Sequence, residues 1–238
     1  YTNGGLTSAI TRGDGKEGED ILRNVVKMKN VKTKLPLNID CSLRGEIILE
    51  KETFKKHFSN EMANERNAAN GISKRLTGEG NEHLSVLCYN VVSHKQQDNM
   101  NFKTEKEKIL FLVRTLGLPV VKTYEVKTAE DIIKIWNSYK NGLRVNLPHL
   151  IDGLVVKVMS LNKQLEYDSK EELNPKSQLA FKFENESEIT TLENIEWVIG
   201  RTGTITPLAI LKPVEVQGRV FSKASLCNCD ELKRLNIG

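Results

Sequence analysis

No stretch of the 238 residues is long and apolar enough to cross a bilayer, and the longest apolar runs, such as 109–113, are the size of a core segment. Residues 1–20 lack the positive start and apolar middle of a secretory signal. Cysteine is scarce. The four present, Cys41, Cys88, Cys227 and Cys229, are scattered and form no CxxC pair, which argues against a disulfide framework and for thiols kept reduced in a cytoplasm. Cys227 and Cys229 would share one face of an extended strand, but two sulfurs without two further ligands do not make a zinc site. The four histidines, His149 among them, have no nucleophile or ligand partner near in sequence, so histidine catalysis is not expected. Strong charge of one sign is also missing: the net charge of +4 permits nucleic-acid binding without requiring it. The chain opens on Tyr1 rather than methionine, which predicts a fragment or processed piece of something longer.

What the sequence does contain is organised around residues 151–158, IDGLVVKV, and their echo at 179–183, LAFKF. In a strand over the first run Leu154, Val156 and Val158 face one way, Val155 and Lys157 the other. Asp152 and Gly153 open it, and glycine there permits a close backbone approach. In the second run Lys182 points away from Phe181 and Phe183. Two such strands side by side would aim two ammonium groups into one cavity, where they would call for an anionic guest, a phosphate for instance, or for carboxylate partners. Both lysines lying on solvated faces of edge strands is the alternative reading.

Elsewhere the pattern is mixed α and β. A turn at Asn3 and Gly4 leads to an apolar strand over 6–10, and a glycine-rich charged loop over 11–20 feeds a helix starting near Glu19 and Asp20. Strands are expected over 31–37, 42–49 and 84–92, and helices over 51–61, 104–116 and 128–139, with Phe54 and Phe58 and the stripe Ile132, Ile135, Trp136, Tyr139 facing the core. The helices over 104–116 and 128–139 read as structural. Arg44, Gly45 and Glu46 interrupt an otherwise apolar strand, the kind of local contradiction that marks sites. Residues 161–175 read as a polar surface excursion. After residue 184 composition shifts to short strands punctuated by Gly and Pro, which predicts a small barrel.

The two lysine runs resemble the fourth and fifth motifs of the nucleotidyltransferase superfamily of ligases and capping enzymes. Together with TRGDGKEGED (11–20), LRGEI (43–47), ANERNAANG (63–71) and VIGRTGTITPLAILKPVEVQG (198–218), they resemble the NAD-dependent DNA ligases of bacteria and viruses, in the family's order over nearly the whole chain. The resemblance implies an α+β adenylation domain with antiparallel sheets over 1–187, lacking its amino-terminal part, and an incomplete OB-fold over 188–238. It implies a cytoplasmic enzyme, of a bacterium or a virus-infected cell, that seals nicks in duplex DNA using NAD and magnesium, the ion being held through phosphates.

By resemblance Lys157 and Lys182 act on the phosphate, and Glu46, Arg66, Tyr89, Arg144, Asp152 and Gly153 join them in binding the nucleotide. Glu46 is placed at the ribose and Tyr89 against adenine. Lys74 or its neighbour Arg75, with Arg201, Thr202 and Lys223, would contact DNA. From the residues alone, Glu46 could be a solvated strand glutamate, Tyr89 a core ring, and Arg201 and Lys223 ordinary surface charges.

The family's nucleophilic lysine lies in a KxDG motif, and no KxDG occurs in these residues, since Leu150 stands two places before Asp152. The expectation is therefore that the 238 residues alone do not self-adenylate. A second polypeptide carrying KxDG and the segment that binds nicotinamide mononucleotide is one partner this would call for. A non-catalytic module binding nucleotide or nicked DNA, and an ATP-dependent polynucleotide ligase or capping enzyme, are the rival classes.

Overall fold

The computed structural model describes residues 1–94, 100–168, 175–183, 188–200, 203–216 and 219–236. The chain divides into two compact units, Tyr1–Phe183 and Glu184–Gly238.

In the first unit the order is α1 (Leu22–Val25), β1 (Cys41–Ile48), α2 (Lys51–His57), α3 (Glu65–Ser73), β2 (Ser85–Ser93), α4 (Glu105–Leu110), α5 (Ala129–Ser138), β3 (Gly153–Lys157), α6 (Leu161–Tyr167) and β4 (Gln178–Lys182). The helices start where side chains can accept the first unpaired amides. Asn64 caps α3, Thr104 caps α4, Thr128 closes a capping box with Asp131 on α5, and Ser160 caps α6. Beyond Leu110 the chain continues in wider π turns over Phe111–Thr115, and Gly117 ends it at φ +61°.

Strands β1 and β2 pair antiparallel. One cluster, with Val25, Leu49, Phe54, Phe58, Ala68 and Ile72, packs the short helices α1 to α3 together, and a second packs Cys41, Cys88 and Val91 of the ladder on Leu112, Leu116 and Leu118. Alternation along β1 sends Cys41, Leu43 and Ile47 to these clusters and leaves Arg44 and Glu46 on the other face. The charged triplet is thus resolved by period, with Gly45 as its middle member. A Cβ on Gly45 would lie 2.6 Å from a Val86 methyl and 2.9 Å from the Leu87 carbonyl oxygen, so a side chain does not fit.

Two expected strands are not formed. Residues 6–10 and 31–37 run alongside neighbours but make only isolated bridges, Ile10 with Asp20 and Lys34 with Gly5, and Pro36 removes a ladder donor from the second segment. The Asn3–Gly4 turn is as expected, with both residues at positive φ. The excursion after β3 contains the capped helix α6 before the chain returns as β4, and residues 169–174 lie outside the described part.

In the second unit β5 (Leu192–Ile199), β6 (Ile205–Val216) and β7 (Arg219–Ser225) form an antiparallel three-stranded sheet in sequence order, followed by α7 (Cys229–Leu235). Among the described residues this sheet does not close into a barrel. Cys227 sits at φ +63° and Cys229 begins α7, so the two do not lie along one strand as the extended reading had it.

Candidate nucleotide site

β3 and β4 pair antiparallel with Gly153 opposite Lys182 and Lys157 opposite Gln178. Residues opposite one another share a face, so both lysines stand on the face that also carries Val155 and Ala180. They share a face but not a point, because four positions of strand, about 13 Å, separate them. Val155, between them, is 61% exposed. Gly153 allows the strands to close at Lys182: a Cβ would stand 2.5 Å from the Phe181 carbonyl oxygen and 2.8 Å from the Lys182 Cα.

Facing the Lys157 end are residues from the other ladder. The register of β1 against β2 shifts by one between Arg44, opposite Asn90, and Gly45, opposite Cys88, which leaves Tyr89 as the extra residue of a bulge. The bulge lets Cys88 and Val91 both reach the core while Tyr89 turns its ring to Lys157, whose Nζ lies 5.4 Å from the ring centroid. Burial, followed by the charge of Glu46, pushes the Tyr89 hydroxyl upward. Glu46 remains accessible to solvent, yet its carboxyl is raised, first by partial burial and then by the negative charge of Asp152, against the opposing effects of Arg66 and Arg12. Arg66, in the first turn of α3, reaches Asp152 with Nη1 to Oδ2 at 3.1 Å. Arg66 and Asp152 therefore stand with Gly153 at the Lys182 end of the ladder, Tyr89 stands at the Lys157 end, and Glu46 feels both groups.

Lys157 has a partner that sequence reasoning missed. Glu105, at the start of α4, lies 3.4 Å from Lys157 Nζ and 3.2 Å from Lys108 Nζ, and accepts from the Gln164 amide at 3.2 Å. Burial alone would raise this carboxyl, but the two lysines and the amide hold it below the usual range. Arg12, in the glycine-rich loop, was also not singled out. Lys182 has no partner for its ammonium among the described residues.

Arg144 does not touch the Glu46 cluster. Its guanidinium lies 5.1 Å from the Phe183 ring, which stacks on Trp136, and Phe183 N–H donates to the Asp152 carbonyl at 2.9 Å. It thus flanks the Lys182 end. Lys74 pairs with Glu19 of the glycine-rich loop at 3.0 Å, and Arg75 with Glu61 at 3.5 Å. Lys223 pairs with Glu196 across the second unit's sheet at 3.5 Å. Arg201 and Thr202 lie outside the described residues. Among the described residues no three His, Cys, Asp or Glu side chains are grouped to hold a metal ion, and no helix is long and apolar enough to cross a membrane.

Two lysines on one face of a ladder, a half-buried tyrosine and a mixed Glu, Asp and Arg cluster make a candidate site for an anionic ligand with an aromatic base, and the class of domain is given by residues 1–186, which match the NAD-dependent DNA ligase adenylation domain. Residues 189–238 match the OB-fold domain of the same enzymes. The chain belongs to the NAD-dependent DNA ligase family. It is 39% identical over 239 residues to a DNA ligase of Sorangium cellulosum, covering all of this chain and 34% of that one. A DNA ligase of Petrotoga mobilis is 37% identical over 249 residues, with all of this chain and 36% of the relative covered. One of Treponema denticola is 34% identical over 251 residues, with all of this chain and 38% of the relative covered. The chain spans about a third of the length of these curated relatives.

Proposed function

We propose that these residues form the adenylyl-transfer site of a DNA ligase that seals nicks in duplex DNA, with residues 1–187 as its adenylation domain and 188–238 as part of its OB-fold. AMP passes from NAD to a lysine, nicotinamide mononucleotide leaves, and the AMP is carried to the 5′-phosphate at the nick. Attack by the 3′-hydroxyl on that activated phosphate then closes the backbone and releases AMP. The observation that carries this reading is the common face of Lys157 and Lys182, with Tyr89 beside Lys157 and the Arg66–Asp152 pair at the opposite, Gly153 end.

The roles follow from chemistry. Lys157 and Lys182 bear on the phosphate, where negative charge spreads over the oxygens as the bond to the leaving group breaks. Tyr89 offers a ring face to the adenine, and Glu46 a carboxylate to the ribose hydroxyls. Arg66 holds Asp152 in place at the mouth of β3. Arg144, on the Phe183 ring, adds positive charge toward Lys182. Magnesium would be held through the phosphates, where it neutralises their charge. The nucleophilic lysine belongs to a KxDG motif outside these residues, on the same polypeptide or on a partner that also binds nicotinamide mononucleotide. Lys74, Arg75, Arg201, Thr202 and Lys223 are proposed to lie along the DNA, in a cytoplasmic setting.

The test joins a KxDG-bearing segment to these residues and measures covalent AMP with NAD or ATP as donor. NAD alone should label the protein. Lys157→Ala and Lys182→Ala should each lower transfer about a hundredfold, the loss of roughly 3 kcal/mol of transition-state stabilisation, with little change in melting temperature. Labelling from ATP would move the chain to another ligase class. Full sealing by either lysine variant would remove the proposed phosphate role.

A further inference from the structure

Glu105 is not one of the family-motif residues, and its surroundings are more constructed than a helix-starting glutamate requires. Its side chain is 13% exposed and one carboxylate serves three donors, Oε2 toward Lys157 and Oε1 toward Lys108 and Gln164. The backbone fixes it from both sides: Glu105 N–H donates to the Met159 carbonyl at 3.0 Å, and Leu161 N–H to the Lys103 carbonyl at 3.0 Å. These bonds tie the start of α4 to the segment linking β3 with α6, so the carboxylate and Lys157 are held on two mutually anchored pieces of chain. Gln164, from α6, spends its amide on Glu105 and on the Val158 carbonyl at 2.6 Å.

We infer that Glu105 is a positioning residue for Lys157: it holds the ammonium against the Tyr89 ring, ready to exchange the carboxylate for the substrate's phosphate. This rests on the phosphate role proposed above for Lys157. Two lysines against one carboxylate leave one positive charge unmatched, so an incoming phosphate meets a site already short of negative charge. Lys108, 14% exposed, stays with Glu105 when Lys157 turns to the phosphate, so the carboxylate is not left alone. Without the Glu105 charge, Lys157 and Lys108 repel each other and the ammonium loses its defined place beside the ring.

The experiment uses the ligase supplied with its KxDG lysine and follows single-turnover formation of covalent AMP from NAD. Glu105→Gln should slow the step about tenfold at saturating NAD while the NAD concentration giving half the maximal rate moves less than twofold. Lys108→Met should also slow the step, because it removes the unmatched charge and leaves Glu105 alone once Lys157 turns to the phosphate. In a Lys157→Ala background Glu105→Gln should cost nothing further, because its effect runs through that ammonium. If Glu105→Gln alone folds poorly, Glu105→Gln with Lys108→Met removes the repulsion, and transfer slower than in the parent is still expected there, because Lys157 has lost its carboxylate anchor. An unchanged rate in Glu105→Gln, or a loss that simply adds to that of Lys157→Ala, overturns the inference. A Lys157→Ala variant of full activity instead overturns the reading of Lys157 on which it rests.

Discussion

Glu46 and Glu105 are both drawn into the site, yet their surroundings move them in opposite directions, and folding linkage turns that into a measurable difference. Glu46 is raised by partial burial and by Asp152, so the folded protein holds its proton at a pH where the unfolded chain has lost it. Its contribution to stability is therefore present at low pH and lost as pH rises from the ordinary carboxylate range through the raised value. Glu46→Gln removes that dependence: the variant should melt higher than the parent at neutral pH, and the gap should close on acidification. Thermal melts across pH 3–8, roughly spanning ordinary carboxylate titration, check it. Glu105 is lowered overall, so its stabilisation is present above the ordinary value and lost as pH falls through the depressed one. Only one of these two glutamates was legible in the sequence. Glu46 interrupts an apolar strand and so announces itself, whereas a glutamate just after a Thr cap is what any helix start carries, and nothing local points across 52 positions to Lys157.

The ladders carry the site because in each a glycine admits a close approach of the neighbouring strand. At Gly45 the absent side chain lets the strands close around the bulge that turns Tyr89 to Lys157; at Gly153 it lets β3 meet β4 at Lys182. Gly153→Ala should cost roughly 1–3 kcal/mol, since the nearest atoms are backbone and cannot swing aside. Its transfer defect should exceed what the lost stability explains, because the strand that must retreat carries Lys182. Denaturant unfolding and covalent AMP formation, measured on the same preparation, separate the two effects. Alternation of apolar and polar residues made β1, β2, β3 and β4 legible to within a residue or two. It failed over 31–37, where apolar residues pack into a core cluster from irregular backbone, and after residue 184, where the separate short runs of 203–206, 209–211 and 214–216 proved to be one strand over Ile205–Val216. A register shift between Ile210 and Val214 bends that strand, and Pro207 and Pro213 within it read as punctuation in the sequence.

For the molecule as a whole, a net charge of +4 spread over 35 basic and 31 acidic residues says little, because much of the positive charge is already answered. Lys74, Arg75 and Lys223 all sit against carboxylates, in exposed pairs of the kind that contribute little to stability. Such pairs exchange a carboxylate for a phosphate at small cost, and DNA binding through them should show itself mainly in salt dependence. Lys74 has the more exposed side chain, 39% against 27% for Arg75, and its partner Glu19 belongs to the glycine-rich loop that also brings Arg12 toward Glu46. A phosphate drawn to Lys74 would thus release Glu19, and with it the glycine-rich loop, from its tie to α3. Lys74→Ala should lower the slope of log affinity against log salt for nicked duplex DNA by about one, the share of a single phosphate contact. Arg75→Ala should lower it by less, since its side chain is the more enclosed of the two. Titrations of labelled nicked duplex over a range of salt concentrations read both slopes, and a larger change for Arg75 would assign the contact to the guanidinium instead.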